Sequence, residues 1–372
     1  MAETTLATAS ERQVWVTTYF QEYVRQSRFL PYMTNADLNK GGIILTKFQK
    51  EEEAQRTINI PFIGRLKSAG VTGATVLDGV EENLTNYNCP ITVDWRRNGI
   101  RLPKSTTFRT EINLWNAAKD ALQVWESEKI RDDIIHAMTA AVVDANGQVI
   151  NWDAATAAQQ NAWCAANADR ILFGSLNSNF SPTFATGAGN VATTAKASVA
   201  NMSLAKRVGK LADPHIRPFR VAGGDGREYY VAFHGSRSFR DLKADTTMVA
   251  ANQSARAREA QGMDKNPLFQ DGDLLYDGII HREIPEIDAY AATAGFNGIG
   301  GAGGDIRPVF VCGGGAVGIA WGQEPTPKTD LIKDYAFRPG VAIEELLGVK
   351  KINFNGVQNG IVSVFVAAAA DS

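Results

Sequence analysis

The sequence predicts an α+β fold, in which strand-rich and helical segments follow one another in separate blocks. Residues 104–146 contain neither glycine nor proline and are typical of one long helix or two in succession. Strand-like segments interrupted by prolines precede this stretch, and strands joined by Asn-Gly turns end the chain. Separate runs of strands and helices favour an α+β protein over a regularly alternating α/β protein.

The first 40 residues predict an arm that contributes little to a core of its own. Residues 10–28 have helical spacing, and Ser10 with Gln13 matches a capping box, in which each side chain bonds the other residue's free amide. The rest of the segment is a poor core-former, so we expect the arm (1–40) to dock on another surface. Two aromatic residues of the arm are candidate inter-subunit contacts: Trp15 and Phe20.

Residues 41–104 predict a long two-stranded excursion with a flexible middle. TINIPFIGRL and NYNCPITVDWRRNGIRLP are strand-like, and the prolines inside them disfavour a central position in a sheet. The segment between them is rich in glycine and threonine. Because an isolated hairpin is only marginally stable in water, we expect a neighbouring molecule to stabilise this one. Its basic residues are usually solvated in such a setting but are candidates for inter-subunit pairs: Arg65, Lys67, Arg96 and Arg97.

The glycine-free stretch carries two successive apolar faces at helical spacing, and at 1.5 Å per residue it would be about 50 Å long. The first face is Ile112, Trp115, Leu122 and Trp125, and the second is Ile130, Ile134, Met138 and Val142. Residues 174–202 contain a single charged residue, Lys196, and predict an extended or loop segment.

The second half of the chain predicts mixed helices and strands. MSLAKRVGKLAD and SRSFRDLKAD are typical of helices, whereas REYYVAFH, DGIIHREIPEI and RPVFVCGG are typical of strands. YAATAGFNGIGGAGG predicts a glycine-rich loop. The C-terminal strands are joined by turns at Asn355-Gly356 and Asn359-Gly360.

Composition argues against several classes of function. With 38 basic and 40 acidic residues the net charge is -2, so the chain lacks the basic footprint of proteins that coat nucleic acid. The three cysteines form no CxxC pair, which disfavours a zinc ribbon or a disulfide framework. We find no signal-peptide pattern, and the longest apolar run is shorter than the ~20 residues of a membrane-spanning helix. We therefore expect cytosolic synthesis and no membrane association.

The stretch NPLFQDGDLLYDGIIHREIPEI raises the question of a metal or acid–base site, because it contains Asp271, Asp273, Asp277, His281 and Glu283. A calcium loop needs acidic or amide side chains at positions 1, 3 and 5 and glycine at 6. A loop begun at the first aspartate has Leu275 and Tyr276 at the last two of these positions. The zinc motif HExxH is absent, and His281 and Glu283 fit the alternation of a strand. The stretch therefore predicts a turn and a strand.

A second candidate is VFVCGGGAVGIAWG, in which Gly313, Gly315 and Gly318 match the dinucleotide fingerprint G-x-G-x-x-G. That fingerprint opens a helix, whereas a glycine and two prolines follow here almost at once. The motif also lies too near the C-terminus for the remaining strand–helix units. We favour a glycine-rich turn between two strands, and a nucleotide-dependent oxidoreductase is the alternative.

Other catalytic motifs are missing from the sequence. It has no G-x-S-x-G elbow and no phosphate loop of the form G-x-x-x-x-G-K-[ST]. The histidines have ordinary structural explanations: His136 lies in the long helix, His215 beside a turn and His234 at the end of a strand. We therefore expect no catalytic, cofactor-binding or metal-binding residue.

The order of arm, excursion, long helix and mixed lobe resembles the major capsid proteins of tailed bacteriophages, whose fold is of the Hong Kong 97 type. Four segments look like the coat-protein family of the N-four-like phages: RILFGSLNSN, YYVAFHGSRSFRDLKAD, NPLFQDGDLLYDGIIHREIPEI and PGVAIEELLGVKKINFNGVQNGIVSVFVA. These segments lie in the last 200 or so residues, and the remainder matches by order and character alone. The resemblance implies five regions: an N-terminal arm (1–40), an E-loop (41–104), a peripheral domain with a spine helix (105–204), an axial domain (205–325) and C-terminal return strands of the peripheral domain (326–372).

The resemblance implies a structural protein, not an enzyme. Copies of the chain would form the hexamers and pentamers of an icosahedral shell around double-stranded DNA, with weak non-specific contact to that DNA. Scaffolding, portal and decoration proteins would be its partners, and assembly would take place in the cytoplasm of the host bacterium. A bacterial nanocompartment shell, which shares the fold and packages enzymes, is an alternative.

Overall fold

The structure is a computed structural model of the 372-residue chain. It describes residues 29–35, 42–48, 56–74, 76–105, 114–143, 148–220, 228–251, 274–330 and 335–371. The predicted arm helix, with Trp15 and Phe20, lies outside these ranges, as do Asp271 and Asp273 of the acidic stretch. Both helices and strands are present in separate blocks, so the predicted α+β class is confirmed.

Six α-helices have both ends within the described ranges. They are α1 (Leu114–Thr139), α2 (Ala157–Ala166), α3 (Phe184–Gly189), α4 (Val199–Leu211), α5 (Ser236–Lys243) and α6 (Glu286–Thr293).

Two larger sheets organise the described strands. The five-stranded sheet has the order β1-β2-β14-β15-β5, formed by β1 (Met33–Asn35), β2 (Ile44–Phe48), β14 (Val317–Asp330), β15 (Gly340–Lys351) and β5 (Asp94–Arg101). The seven-stranded sheet has the order β11-β12-β10-β13-β18-β8, with β9 also paired to β10. Its strands are β8 (Ile171–Phe173), β9 (Phe219–Arg220), β10 (Glu228–His234), β11 (Leu274–Tyr276), β12 (Ile279–Glu283), β13 (Ile306–Cys312) and β18 (Ile361–Ala367).

Three two-stranded units complete the described sheets. They are β3 (Thr57–Ile63) with β4 (Asn86–Thr92), β6 (Ala141–Val142) with β7 (Val149–Ile150), and β16 (Asn353–Phe354) with β17 (Val357–Gln358).

The last strand, β18, lies inside the seven-stranded sheet and not with the other C-terminal strands. It pairs antiparallel with β13 and parallel with β8, and all seven of its residues are buried. The range 326–372 is therefore shared between the two sheets, with β15 in one and β18 in the other. The five domain ranges stay a prediction.

The long helix is present and ends earlier than the sequence predicts. Its described part, Leu114–Thr139, has 26 residues and extends about 39 Å at 1.5 Å per residue. The prediction that it continues to Val142 is wrong, because Ala141 and Val142 form β6 and pair with Val149 and Ile150. Both β6 residues are buried, and β-branched Val142 suits such a pairing.

The predicted turns and strands of the second half are largely confirmed. At the Asn355-Gly356 turn both residues have positive φ, 51° and 78°, as a tight hairpin turn requires. The segment 174–202 is less irregular than predicted, since it contains α3 and the start of α4. YAATAGFNGIGGAGG likewise begins inside α6. Helices α3 and α6 are short and rich in small residues, and the first turn of α4 is also rich in small residues, so apolar periodicity does not indicate them.

The acidic stretch forms a hairpin in its described part. Asp277 and Gly278, with φ of 50° and 69°, connect β11 to β12. On β12, Ile279 and His281 point into the core as the alternation predicts. The His281 ring meets His234 of the adjacent strand β10, with 3.0 Å between Nδ1 of His281 and Nε2 of His234. The residue that suggested chemistry is thus part of a buried histidine pair.

We predict that this histidine pair destabilises the fold in acid. Burial lowers the pKa of His281 to about 3, and burial lowers the pKa of His234 well below its ordinary value. The unfolded chain takes up protons near pH 6.5 and the folded chain does not, so stability falls as the pH drops from about 6.5 towards 3. For His281 the loss is about 2 kcal/mol between pH 6.5 and 5, and His234 acts in the same direction.

The measurement is the urea unfolding midpoint across this pH range for the wild type and for His281→Gln. The variant should lose roughly half of the acid dependence. His215→Gln, which removes an exposed imidazole, is the matched control. An unchanged acid slope in His281→Gln would contradict the prediction.

Candidate assembly surfaces

The base of the β3–β4 hairpin is anchored on its own subunit. Ile58, Ile60, Cys89 and Ile91 are buried in one cluster with Leu45 of β2, Ala320 of β14, and Ile352 and Phe354. Phe62 stacks on Phe354, with ring centroids 4.3 Å apart. Prolines 61 and 90 lie in this two-stranded unit and not in a central strand, as predicted. The hairpin therefore has a fixed point of attachment.

Beyond this base the chain forms no described strand, and we call residues 64–74 and 76–85 the distal loop. Large apolar side chains at its start and along its length are between 54% and 72% exposed: Ile63, Leu66, Val76, Leu77, Val80 and Leu84. Isolated exposed apolar residues are ordinary, but six within 22 positions form a concentration that marks an interaction surface.

A carboxylate closes the neck of the distal loop. Glu82 accepts hydrogen bonds from the backbone amides of Lys67 and Ser68, at 2.7 Å and 2.6 Å. These bonds lower the pKa of the Glu82 carboxyl group, with the Lys67 amide as the largest cause. Gly70, Gly73 and Gly79 have positive φ, which suits the turns between these ties. The two sides of the loop are thus held together while its apolar side chains stay exposed.

Arg65 and Lys67, two of the candidate inter-subunit residues, lie against Asp213 of the same chain. Their side-chain nitrogens are 3.3 Å and 2.6 Å from the Asp213 carboxylate. The pKa of Asp213 is lowered, chiefly by its hydrogen bond to Lys67. All three side chains are at least half exposed, and exposed pairs of this kind contribute about 0 to 1 kcal/mol each. Such a contact is weak enough to be exchanged for another.

Arg96 and Arg97 point to opposite sides of the edge strand β5. Arg96 is partly buried and donates hydrogen bonds to Glu345 of β15 and Asp133 of α1. Arg97 is exposed and lies opposite Glu344 in the strand register. Trp95, on the same side of the strand as Arg97, is also exposed. The structure thus separates one arginine that ties internal elements together from one that faces outward.

Sequence reasoning missed a second exposed aromatic site, at the tip of the β14–β15 hairpin. Tyr335 is fully exposed and Phe337 is nearly half exposed. Tyr335 and Ala336 both have positive φ, 51° and 64°, a costly conformation for residues other than glycine. The backbone amides of Leu102 and Lys104 donate hydrogen bonds to the carbonyls of Pro339 and Phe337. In the sequence, this site is indicated only by two aromatic residues close together in the segment DYAFRPG.

The structure gives no support to the chemical alternatives. Gly313, Gly315 and Gly318 lie between strands β13 and β14 or at the start of β14, and a 14-residue strand follows where the dinucleotide fold needs a helix. Within the described ranges no group of three or more His, Cys, Asp or Glu side chains could hold a metal ion. The described helices likewise include none with the length and apolarity needed to cross a membrane.

The chain is similar to known phage proteins over nearly its whole length. A family model described as phage capsid protein matches residues 3–368. The major capsid protein of Pseudomonas phage KPP25 is 25% identical over 377 aligned positions, which cover 97% of this chain and 96% of that protein.

Solved capsid structures share the fold. The capsid asymmetric unit of cyanophage Pam1 has 45% sequence identity and a TM-score of 0.83, covering 94% of each chain. The capsid of Ralstonia phage GP4 has 19% identity and a TM-score of 0.69, covering 93% of this chain and 92% of that one. The second likeness concerns the fold alone.

These matches agree with the architecture and with the outward-facing apolar surface. They identify a structural protein with the Hong Kong 97-type fold, so the oxidoreductase alternative is wrong. The chain belongs to the phage capsid protein family and is a component of a phage capsid.

Proposed function

We propose that copies of this chain form the hexamers and pentamers of an icosahedral shell that encloses double-stranded phage DNA. The observation that supports this most directly is the apolar distal loop, which its own subunit leaves exposed. Burying apolar surface contributes about 25 cal/mol per Å², so contact with a neighbouring subunit would stabilise the loop. Because each subunit both offers a loop and receives one, the contact repeats around a closed ring.

Modest contacts of this kind suit assembly. A single specific interface buries roughly 1,600 Å² in total, and several repeated interfaces bind far more tightly than any one of them. The weak pairs of Arg65 and Lys67 with Asp213 could be replaced by equivalent pairs to a neighbouring copy. Outward-facing Arg97, with Trp95 beside it, is the further described candidate for an inter-subunit contact. Trp15 and Phe20 of the arm complete the proposed contact set.

The other proposed partners are the enclosed DNA and the proteins that help a shell to assemble. Near-neutral net charge, -2, suits a wall that encloses DNA with only weak non-specific contact. We include scaffolding, portal and decoration proteins as partners and the host cytoplasm as the place of assembly.

Electron microscopy of the protein co-expressed with the neighbouring phage genes tests the proposal. Closed shells of uniform size support it, whereas persistent monodisperse monomers contradict it, and shells filled with a cargo enzyme would indicate a nanocompartment.

We predict that the double substitution Leu77→Ser and Val80→Ser prevents or strongly reduces shell formation. Both side chains are more than half exposed, so each substitution should change the subunit's free energy of unfolding by no more than about 0.5 kcal/mol. Sedimentation velocity and electron microscopy measure assembly, and urea unfolding of the free subunit measures stability. Leu211→Ser, an equivalent change at an exposed leucine outside the loop, is the control and should still assemble. Normal shells from the double variant would contradict the prediction.

We also predict that assembly protects the distal loop from hydrogen exchange. Several amides of residues 64–74 and 76–85 donate hydrogen bonds within the subunit, those of Lys67 and Ser68 among them. The other backbone amides of the distal loop should exchange rapidly in free subunits and at least tenfold more slowly in shells, where a neighbour covers them. Strand residues 58–60 and 89–91 at the hairpin base serve as the internal control, because their own subunit buries alternate side chains there in both states. Equal protection of the distal loop in subunits and shells would show that neighbours do not stabilise it.

A further inference from the structure

Two glutamates meet in the interior between helix α1 and the five-stranded sheet. Glu126 lies on α1 and Glu345 on β15, and both side chains are fully buried. Their carboxyl groups are close enough to interact directly. Two ionised carboxylates cannot hydrogen-bond to each other and repel in a buried site, so the site favours a proton on one of them.

The surroundings do not supply enough positive charge to replace that proton. Arg96 of β5 donates to Glu345 through Nε, but its Nη1 donates to Asp133 of α1, so one guanidinium faces three carboxyl groups. On the other side of β15, strand β14 presents Glu324, which is exposed. Burial is the largest cause that raises the pKa of Glu345, to about 9, followed by the bond to Glu126, and Arg96 opposes both.

The pair lies where the long β14–β15 hairpin changes register. Gln323 pairs with Leu346 and Thr326 pairs with Glu344, so two residues of β14 lie opposite the single residue Glu345. Such a bulge bends the strand and increases its twist. The two halves of the β14–β15 hairpin, before and after the bulge, therefore meet at Glu345. Glu126 of α1 contacts the hairpin at this residue.

We propose that the Glu126–Glu345 pair is a proton-dependent latch that holds helix α1 against the bend of the β14–β15 hairpin. With its proton bound, the pair and Arg96 connect α1, β15 and β5. Loss of the proton places two anions side by side in a buried site, and the latch opens so that α1 can tilt relative to the sheet. This goes beyond shell formation, since it makes the rigidity of each subunit depend on pH.

The direction of the pH effect follows from the proton count. In the unfolded chain a glutamate releases its proton at a pKa near its ordinary value of 4.5, whereas the pKa of Glu345 in the folded chain is raised to about 9. The stabilisation from the latch is therefore fully present below about pH 4.5 and decreases as the pH rises to about 9. This is opposite in sign to the effect of the buried histidines.

The test is urea unfolding of free subunits between pH 6 and 9, comparing the wild type with Glu126→Gln. Buried Lys351, with its pKa lowered to about 7, makes both proteins more stable as the pH rises through this range, so the readout is the difference between them. The glutamine amide donates to Glu345 without a titratable proton, so the wild-type midpoint should fall relative to that of Glu126→Gln as the pH rises from 6 to 9. Glu128→Gln removes the same charge from an exposed position on α1 and should behave like the wild type. A wild-type pH slope in Glu126→Gln would overturn the proposal.

Infrared spectroscopy of the folded wild type tests the proton directly and does not depend on any variant folding. A carbonyl stretching band of a protonated carboxyl group should be present at pH 7 and disappear as the pH passes 9. Its absence at pH 7 would also overturn the proposal. Both measurements use unassembled subunits, so they are independent of whether the chain forms shells.

Discussion

A buried polar joint between the two sheets is the constraint on which the rest of the structure depends. Lys351, at the end of β15, donates to the carbonyl of Ala140 after α1 and to Oε1 of Gln358, at 2.8 Å and 3.1 Å. Arg170, also fully buried, donates to the backbone carbonyl of Gln358. Burial lowers the pKa of Lys351 to about 7, so the joint is retained against a cost of desolvation. Its directional bonds fix how α1 and the two sheets meet.

With that joint fixed, the subunit divides into a rigid body and surfaces that it cannot cover. The Gly360 region packs so closely on the turn after β13 that a side chain at Gly360 would come within 2.8 Å of the Ala316 amide. The distal loop, by contrast, has a carboxylate tie at its neck and no core of its own. In the proposed shell, the closely packed body would give each neighbour a defined target, and the distal loop would adapt to the different curvature of hexamers and pentamers.

The sequence predicts the elements whose signals are local. The α1 helix, the β3–β4 pairing, the strand alternation at His281 and the Asn355-Gly356 turn are examples, because each depends on residues a few positions apart. The placement of β18 depends on pairing with β13, 49 to 61 positions away, and with β8, 192 positions away, which no local pattern records. The same holds for Arg96, whose partner Glu345 is 249 positions away.

Partners that are distant in sequence also explain why Arg96 differs from Arg65 and Lys67, although all three lie within residues 41–104. Arg96 meets a buried carboxyl group, so its charge is needed inside the subunit, and removing it would leave Glu345 buried without its cation. Arg65 and Lys67 meet an exposed aspartate, where water replaces either partner at little cost. Exposure of the partner, and not the basic residue itself, therefore distinguishes the internal contact of Arg96 from the weak contacts that we propose exchange between subunits.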